Sequence, residues 1–130
     1  MRSGWVIEAE AMRVVGRPNQ LIEVLPTHVH FATNGRIETA VRFASGGRYA
    51  IAVLASGTSV KGVYPVCEVS LDGKPVGTVQ LVGEGWQEYA VEAEVGAGRH
   101  TLGLAFVNDA WEPPEDRNLL IDRVTLAPVE

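Results

Sequence analysis

Glycine and proline interrupt this chain so regularly that the stretches between them are short, and those stretches alternate apolar with polar at a period of two. Fourteen Gly and seven Pro fall among 130 residues. No segment keeps an apolar stripe at helical spacing for ten residues, so the pattern predicts an all-β chain. Strands are expected over residues 6–11, 37–43, 48–55, 65–71, 75–81, 87–94, 100–107 and 119–126, with a weaker pair at 21–25 and 28–31. Eight to ten short antiparallel strands suit a two-sheet antiparallel β-sandwich of the jelly-roll kind, with residues 1–130 forming one module.

Two local features sharpen that expectation. Cys67, Val69 and Leu71 alternate with Glu68 and Ser70 before Asp72-Gly73, a dipeptide that fits a two-residue hairpin turn needing positive φ at both positions. In the last strand Leu119 and Ile121 share one parity while Val124 and Leu126 share the other. A β-bulge at Asp122-Arg123 would turn both apolar pairs inward and re-aim Asp122.

Composition removes several functions. The formal net charge is −5 and hydrophobic residues make up 46%, which suits a folded acidic domain and speaks against a basic nucleic-acid surface. The longest apolar run, Tyr49 through Ala55, is far short of the ~20 residues of a membrane-spanning helix. The start of the chain has no apolar signal core, so no secretory address is read from it, although a module of a larger exported protein would look the same. A lone Cys67 rules out an intrachain disulfide, and its place among core residues makes it a small buried hydrophobe.

The acidity is concentrated. Between 109 and 122 stand Asp109, Glu112, Glu115, Asp116 and Asp122 against Arg117 alone. Asp109 and Asp116 flank a Pro113-Pro114 turn and would repel one another without a counter-cation. Calcium, which takes 6–8 oxygen ligands, resolves that repulsion, and the loop has no Cys or His to favour zinc. The alternative is a solvated acidic loop paired through Arg117. Glu8 and Glu10, two apart on the first strand, would share a face, and Asp122 at its bulge could join them around a second cation; the alternative is a plain solvent face.

These residues resemble a family. The opening Trp5-Val6-Ile7-Glu8-Ala9-Glu10 is similar to the "EAE" strand of the calcium-binding β-sandwich carbohydrate-binding modules, families 6, 35, 36 and 60. Gly98-Arg99-His100-Thr101-Leu102, Phe106-Val107-Asn108-Asp109 and Asp116-Arg117-Asn118-Leu119-Leu120-Ile121-Asp122 resemble the ending of the xylan-binding families 36 and 60. The resemblance implies a non-catalytic module that binds xylan or a related β-glycan through a loop-bound calcium ion, which accepts vicinal sugar hydroxyls. It implies Asp109, Asp116 and the carbonyl of Glu115 as ligands of that ion. It further implies Glu8, Glu10 and Asp122 as holders of a structural calcium, completed by carbonyls near Asn34-Gly35-Arg36. Six residues separate Asp109 from Asp116, where families 36 and 60 typically place four. Trp111 either stacks on a sugar face or packs against the sandwich edge. Such modules act as appendages of an exported parent protein, extracellular or periplasmic, and raise a tethered enzyme's local concentration.

Other classes fare worse. His28 and His30 form an H-x-H pair that invites a cupin-like metal enzyme, but Glu38 and His100 lack the accompanying spacing. A glycoside hydrolase needs two carboxylates across a cleft, and here they crowd into one loop. A calcium-stabilised structural or adhesion domain that meets a protein partner remains as the alternative to glycan binding.

Overall fold

The computed structural model describes residues 4–16 and 21–129. Two antiparallel sheets face each other, as the alternation predicts. The six-stranded sheet has the order β3 (Ile22–Val24), β4 (Val29–Phe31), β13 (Leu119–Pro128), β6 (Gly47–Gly57) and β9 (Gln87–Val95). Its sixth strand, β1 (Trp5–Glu8), pairs with β13 from Leu126 to Arg123, beyond the stretch of β13 that pairs with β4. The five-stranded sheet runs β2 (Arg13–Val15), β5 (Gly35–Phe43), β10 (Gly98–Phe106), β7 (Val66–Leu71) and β8 (Lys74–Gln80). A separate two-stranded ribbon joins β11 (Ala110–Glu112) to β12 (Glu115–Arg117).

Period-two alternation builds the core directly. Ile51, Val53 and Ala55 of β6 and Leu102, Leu104 and Phe106 of β10 point inward and are buried. Phe31 meets Phe106 edge-to-face across the two sheets at 6.5 Å. Burying each such ring contributes roughly 1.5–3 kcal/mol, so this inter-sheet layer fixes the sheets' mutual position. Asp72 and Gly73 have φ of 54° and 80°, the left-handed pair that the hairpin turn requires.

The bulge in β13 is present. Ile121 pairs with Ala55 and Arg123 with Leu54, leaving Asp122 without a register partner on β6. Leu119, Ile121, Val124 and Leu126 are consequently all fully buried.

The first strand differs from expectation. It ends at Glu8, and Ala9–Ala11 form a 3-10 turn in which the Met12 N–H donates to the Ala9 carbonyl at 3.0 Å. Residues three apart eclipse on a 3-10 turn, so Ala9 and Met12 both enter the core, at 0% and 4% exposure. Extended chain would have pointed them to opposite faces. Strands β2, β11 and β12, three residues each, are too short to show a period and went unpredicted.

Candidate cation and ligand site

The chain leaves the five-stranded sheet at Phe106 and enters the six-stranded sheet at Leu119, crossing one end of the sandwich through the β11–β12 ribbon. The acidic loop is therefore this crossing. Ala110 pairs with Arg117, Trp111 with Asp116, and Glu112 with Glu115, around a turn containing the cis Pro113–Pro114 bond. Because side chains alternate along a strand, Asp116 and Trp111 face one side and Arg117 the other.

Arg117 anchors the crossing. Its side chain is buried, and it donates through Nε to the Val63 carbonyl at 2.7 Å, through one terminal nitrogen to Asn108 O at 2.6 Å, and through the other to Val60 O at 3.2 Å. Among the described residues no carboxylate stands within ion-pair distance of it. The expected direct pairing of the loop's acids with Arg117 is thereby corrected, since its donors are engaged by backbone carbonyls and its charge reaches Asp109 without a contact.

Asn108 clamps the exit of β10. Its Oδ1 accepts from the Val66 N–H at 2.7 Å and its Nδ2 donates to Tyr64 O at 3.2 Å. Asn34 Oδ1 accepts the Asp109 N–H at 2.7 Å. The Thr58 hydroxyl donates to Asp116 O at 2.6 Å and accepts the Asn118 N–H at 3.0 Å. Glu115 Oε1 accepts the Lys61 N–H at 3.0 Å, and Lys61 Nζ reaches Glu112 at 3.0 Å. Most of these contacts hold the backbone of the crossing, and of the two aspartates' carboxylates they leave Asp116 and the Oδ1 of Asp109 open, while the Ala110 N–H donates to the Asp109 carboxylate.

Both carboxylates line one open cleft of about 380 Å³, with Trp111 on the same side and Leu21, Ala32 and Thr33 completing the wall. That volume is in the range of small-ligand sites. Trp111 is 72% exposed, so it is not packed down on the sandwich edge. Asp109 Oδ1 is buried with no hydrogen-bond partner. Burial, and next the negative charge of Asp116, raise the Asp109 pKa above its ordinary value of 3.8. A buried, unpartnered carboxylate oxygen beside a like charge is unstable on its own and suited to a hard cation. The donor set is all oxygen, so these residues fit calcium.

The second expected group is less complete. Glu8, at the exposed end of β1, and Glu10, inside the 3-10 turn, do not share a strand face as the spacing predicted. Glu10 keeps one carboxylate oxygen, Oε1, buried without a partner. The turn packs against β13, and Glu8 lies opposite Arg123, the residue after Asp122. Asp122 itself is half-buried, 3.9 Å from the Arg123 guanidinium. Among the described residues no three His, Cys, Asp or Glu side chains are grouped closely enough to hold a metal ion by themselves. An ion at either place would therefore draw on backbone carbonyls as well.

The histidine pair is divided. His28 precedes β4, near the Thr27 hydroxyl at 3.1 Å and edge-on to Trp86, while His30 lies on the outer face of its sheet, 3.9 Å from Glu23. Sequence reading missed the positioning roles of Asn34, Thr58 and Arg117. The signal available for Arg117 was its isolation among five acids, which invited an ion pair instead.

Residues 50–130 match the sequence model of family 60, described as a calcium-dependent carbohydrate-binding module that binds xylan. No curated protein matches the chain significantly. Among solved structures, the first family 36 module of a multidomain xylanase from the hindgut metagenome of Trinervitermes trinervoides superposes with a TM-score of 0.78 at 17% identity, covering 98% of this chain and 99% of that one. A family 36 module in complex with calcium and xylotriose gives 0.76 at 16% identity, covering 95% and 99%. A Podospora anserina β-(1,4)-mannanase carrying a family 35 module gives 0.68 at 19% identity, covering 98% of this chain and 28% of that one. These likenesses confirm the sandwich fold, and the family match covers well over half of the sequence. The chain belongs to carbohydrate-binding module family 60 and is a non-catalytic polysaccharide-binding module of β-sandwich fold.

Proposed function

We propose that this module binds xylan or a related β-glycan in the Asp109–Asp116 cleft, with calcium held there by the two aspartates and the Glu115 carbonyl. The observation that carries this reading is the unpartnered, buried Asp109 Oδ1 beside Asp116. When bound, the ion supplies open coordination positions for two vicinal sugar hydroxyls. The chain's own residues do the rest. Arg117 and Asn108 fix the crossing, Thr58 fixes the Asp116 backbone, and the exposed Trp111 ring offers an apolar face to the sugar's C–H surface. Glu115 contributes its carbonyl because its carboxylate is engaged by Lys61.

A structural cation near Glu10, Glu8 and Asp122 is part of the same proposal, supported by the buried, unpartnered Glu10 Oε1. The setting we infer is extracellular or periplasmic, as an appendage of a larger exported protein. A family 35 module within a mannanase and a family 36 module within a xylanase support that inference.

Mobility retardation in native gels containing xylan tests the reading. Wild type is expected to be retarded with calcium and released by a chelator, and Asp116→Ala to migrate freely while keeping the wild-type melting temperature measured without calcium. Retardation that survives both chelator and Asp116→Ala would place the site elsewhere. Absence of retardation in every glycan would favour a protein partner.

A further inference from the structure

Among the described residues, the outer face of the five-stranded sheet carries Arg13, Arg36, Arg42 and Arg99 but, of acids, only Glu38 and Glu68. Glu38 pairs with Arg13 at 3.2 Å and with Arg36 at 3.1 Å. Arg48 has Glu92 and Glu94, Arg123 has Asp122, and Arg117 has its carbonyls. Among the described arginines, Arg42 and Arg99 alone have no partner.

Those two are also directly opposite one another on β5 and β10. Cross-strand pairs stand with Cβ atoms about 4.5–5.5 Å apart, and like charges at that spacing destabilise a sheet. Among the described residues no neighbouring strand relieves the repulsion. Pairing of β2 with β5 begins at Glu38, and pairing of β7 with β10 begins at Leu102. The nearby Asp72 carboxylate is already engaged by His100 and by the Thr101 N–H. Arg42 and Arg99, both exposed, line a shallow cavity of about 270 Å³ with the small, exposed Ala40 and with Val41, whose side chain is buried in the core. In a chain of net charge −5, two unpaired, facing guanidiniums over a cavity form an anion-binding surface, and the planar fork of arginine matches a carboxylate in two-point contact.

We propose that Arg42 and Arg99 form a second binding site, for the carboxylate groups of a uronic-acid-bearing polysaccharide. The proposal rests on the chain's membership of a polysaccharide-binding family but not on the calcium cleft. Arg99 lies seven residue steps of extended strand from Phe106 at the cleft end, about 23 Å at the usual rise. A decorated xylan chain would therefore meet the calcium cleft through its backbone hydroxyls and this face through its acidic side groups.

The test compares glucuronoxylan with the same polymer after chemical reduction of its carboxyl groups, by titration calorimetry at low ionic strength with calcium present. Wild type is expected to bind the carboxylated polymer about fivefold more tightly, the scale of two exposed ion pairs, and to lose that preference at high salt. Arg42→Ser/Arg99→Ser should bind both polymers as wild type binds the reduced one, and should melt no lower, because a repulsive pair has been removed. Equal wild-type affinities for the two polymers, or a double variant that keeps the preference, would overturn the site while leaving the cleft reading intact. Failure of wild type to bind either polymer would overturn both. A short DNA duplex bound as tightly as glucuronoxylan would replace the uronate assignment with general polyanion binding.

Discussion

Replacing Arg117 by Met should unlatch the crossing on which the whole site rests. Methionine keeps the unbranched apolar stem and removes three charge-assisted hydrogen bonds, to Val63 O, Asn108 O and Val60 O. Each such bond is worth about 1.5–3 kcal/mol when both partners are desolvated. The Val60 and Val63 carbonyls each keep a backbone partner after the substitution, since the Val63 N–H donates to Val60 O at 2.9 Å and the Val60 N–H to Val63 O at 3.1 Å, so the loss per bond sits at or below the low end of that range. The net cost is then about 3 kcal/mol, and a chain of this size should melt roughly 10 °C lower. Arg117→Lys retains the charge but not the fork, and should fall between the two. Differential scanning calorimetry with and without calcium reads both effects, and the calcium-dependent rise in melting temperature should shrink in Arg117→Met because Asp116 is the adjacent residue. A fall of less than about 3 °C, roughly 1 kcal/mol, or identical behaviour of the Met and Lys variants, would refute the latch.

Three further outcomes follow from the same geometry. Glu10→Gln removes the charge behind the buried, unpartnered Oε1 at nearly constant shape. It should reduce the calcium-dependent stabilisation, which for a native-state site reaches about 2.7 kcal/mol at a hundredfold excess over Kd; a melting shift equal to that of wild type would remove the structural cation. Asp109 holds its proton above the ordinary 3.8 in the fold, so ionising it costs stability as pH rises from there through the raised value. A cation reverses that cost, and calcium affinity measured by calorimetry should fall as pH drops through the same window, whereas a flat profile would exclude Asp109 as a ligand. His100 Nδ1 lies 2.5 Å from Asp72, a contact that raises the histidine pKa above 6.5 and lowers that of the aspartate below 3.8. The histidine's share of stability is full below pH 6.5 and lost as pH rises through its raised pKa; the aspartate's is full above 3.8 and lost as pH falls through its lowered one. His100→Gln should therefore flatten the stability profile above pH 6.5, as urea titrations would show.

Long strands were legible because burial of one face imposes a strict period of two. The bulge at Asp122 was legible for the same reason, since only an inserted residue reconciles Leu119 and Ile121 with Val124 and Leu126. The 3-10 turn at Ala9–Ala11 was not, because Ala9 and Met12 at a spacing of three form too short a pattern to outweigh the strand alternation before them. In the site, the carboxylates announced themselves by local charge density. The groups that position them did not, because Asn34, Thr58 and Arg117 act on backbone atoms distant in sequence, and such bonds leave no periodic trace. Arg42 and Arg99 are 57 residues apart in number, and only the register of β5 on β10 makes them neighbours.

The central claim is that the Asp109–Asp116 cleft binds sugar through a cation. Isothermal titration of metal-free protein with xylotriose, repeated after addition of one to two equivalents of calcium, tests it most directly. The account predicts no saturable heat without calcium and a saturable isotherm with it, abolished again in Asp116→Ala. The same affinity in the presence and absence of calcium would contradict it.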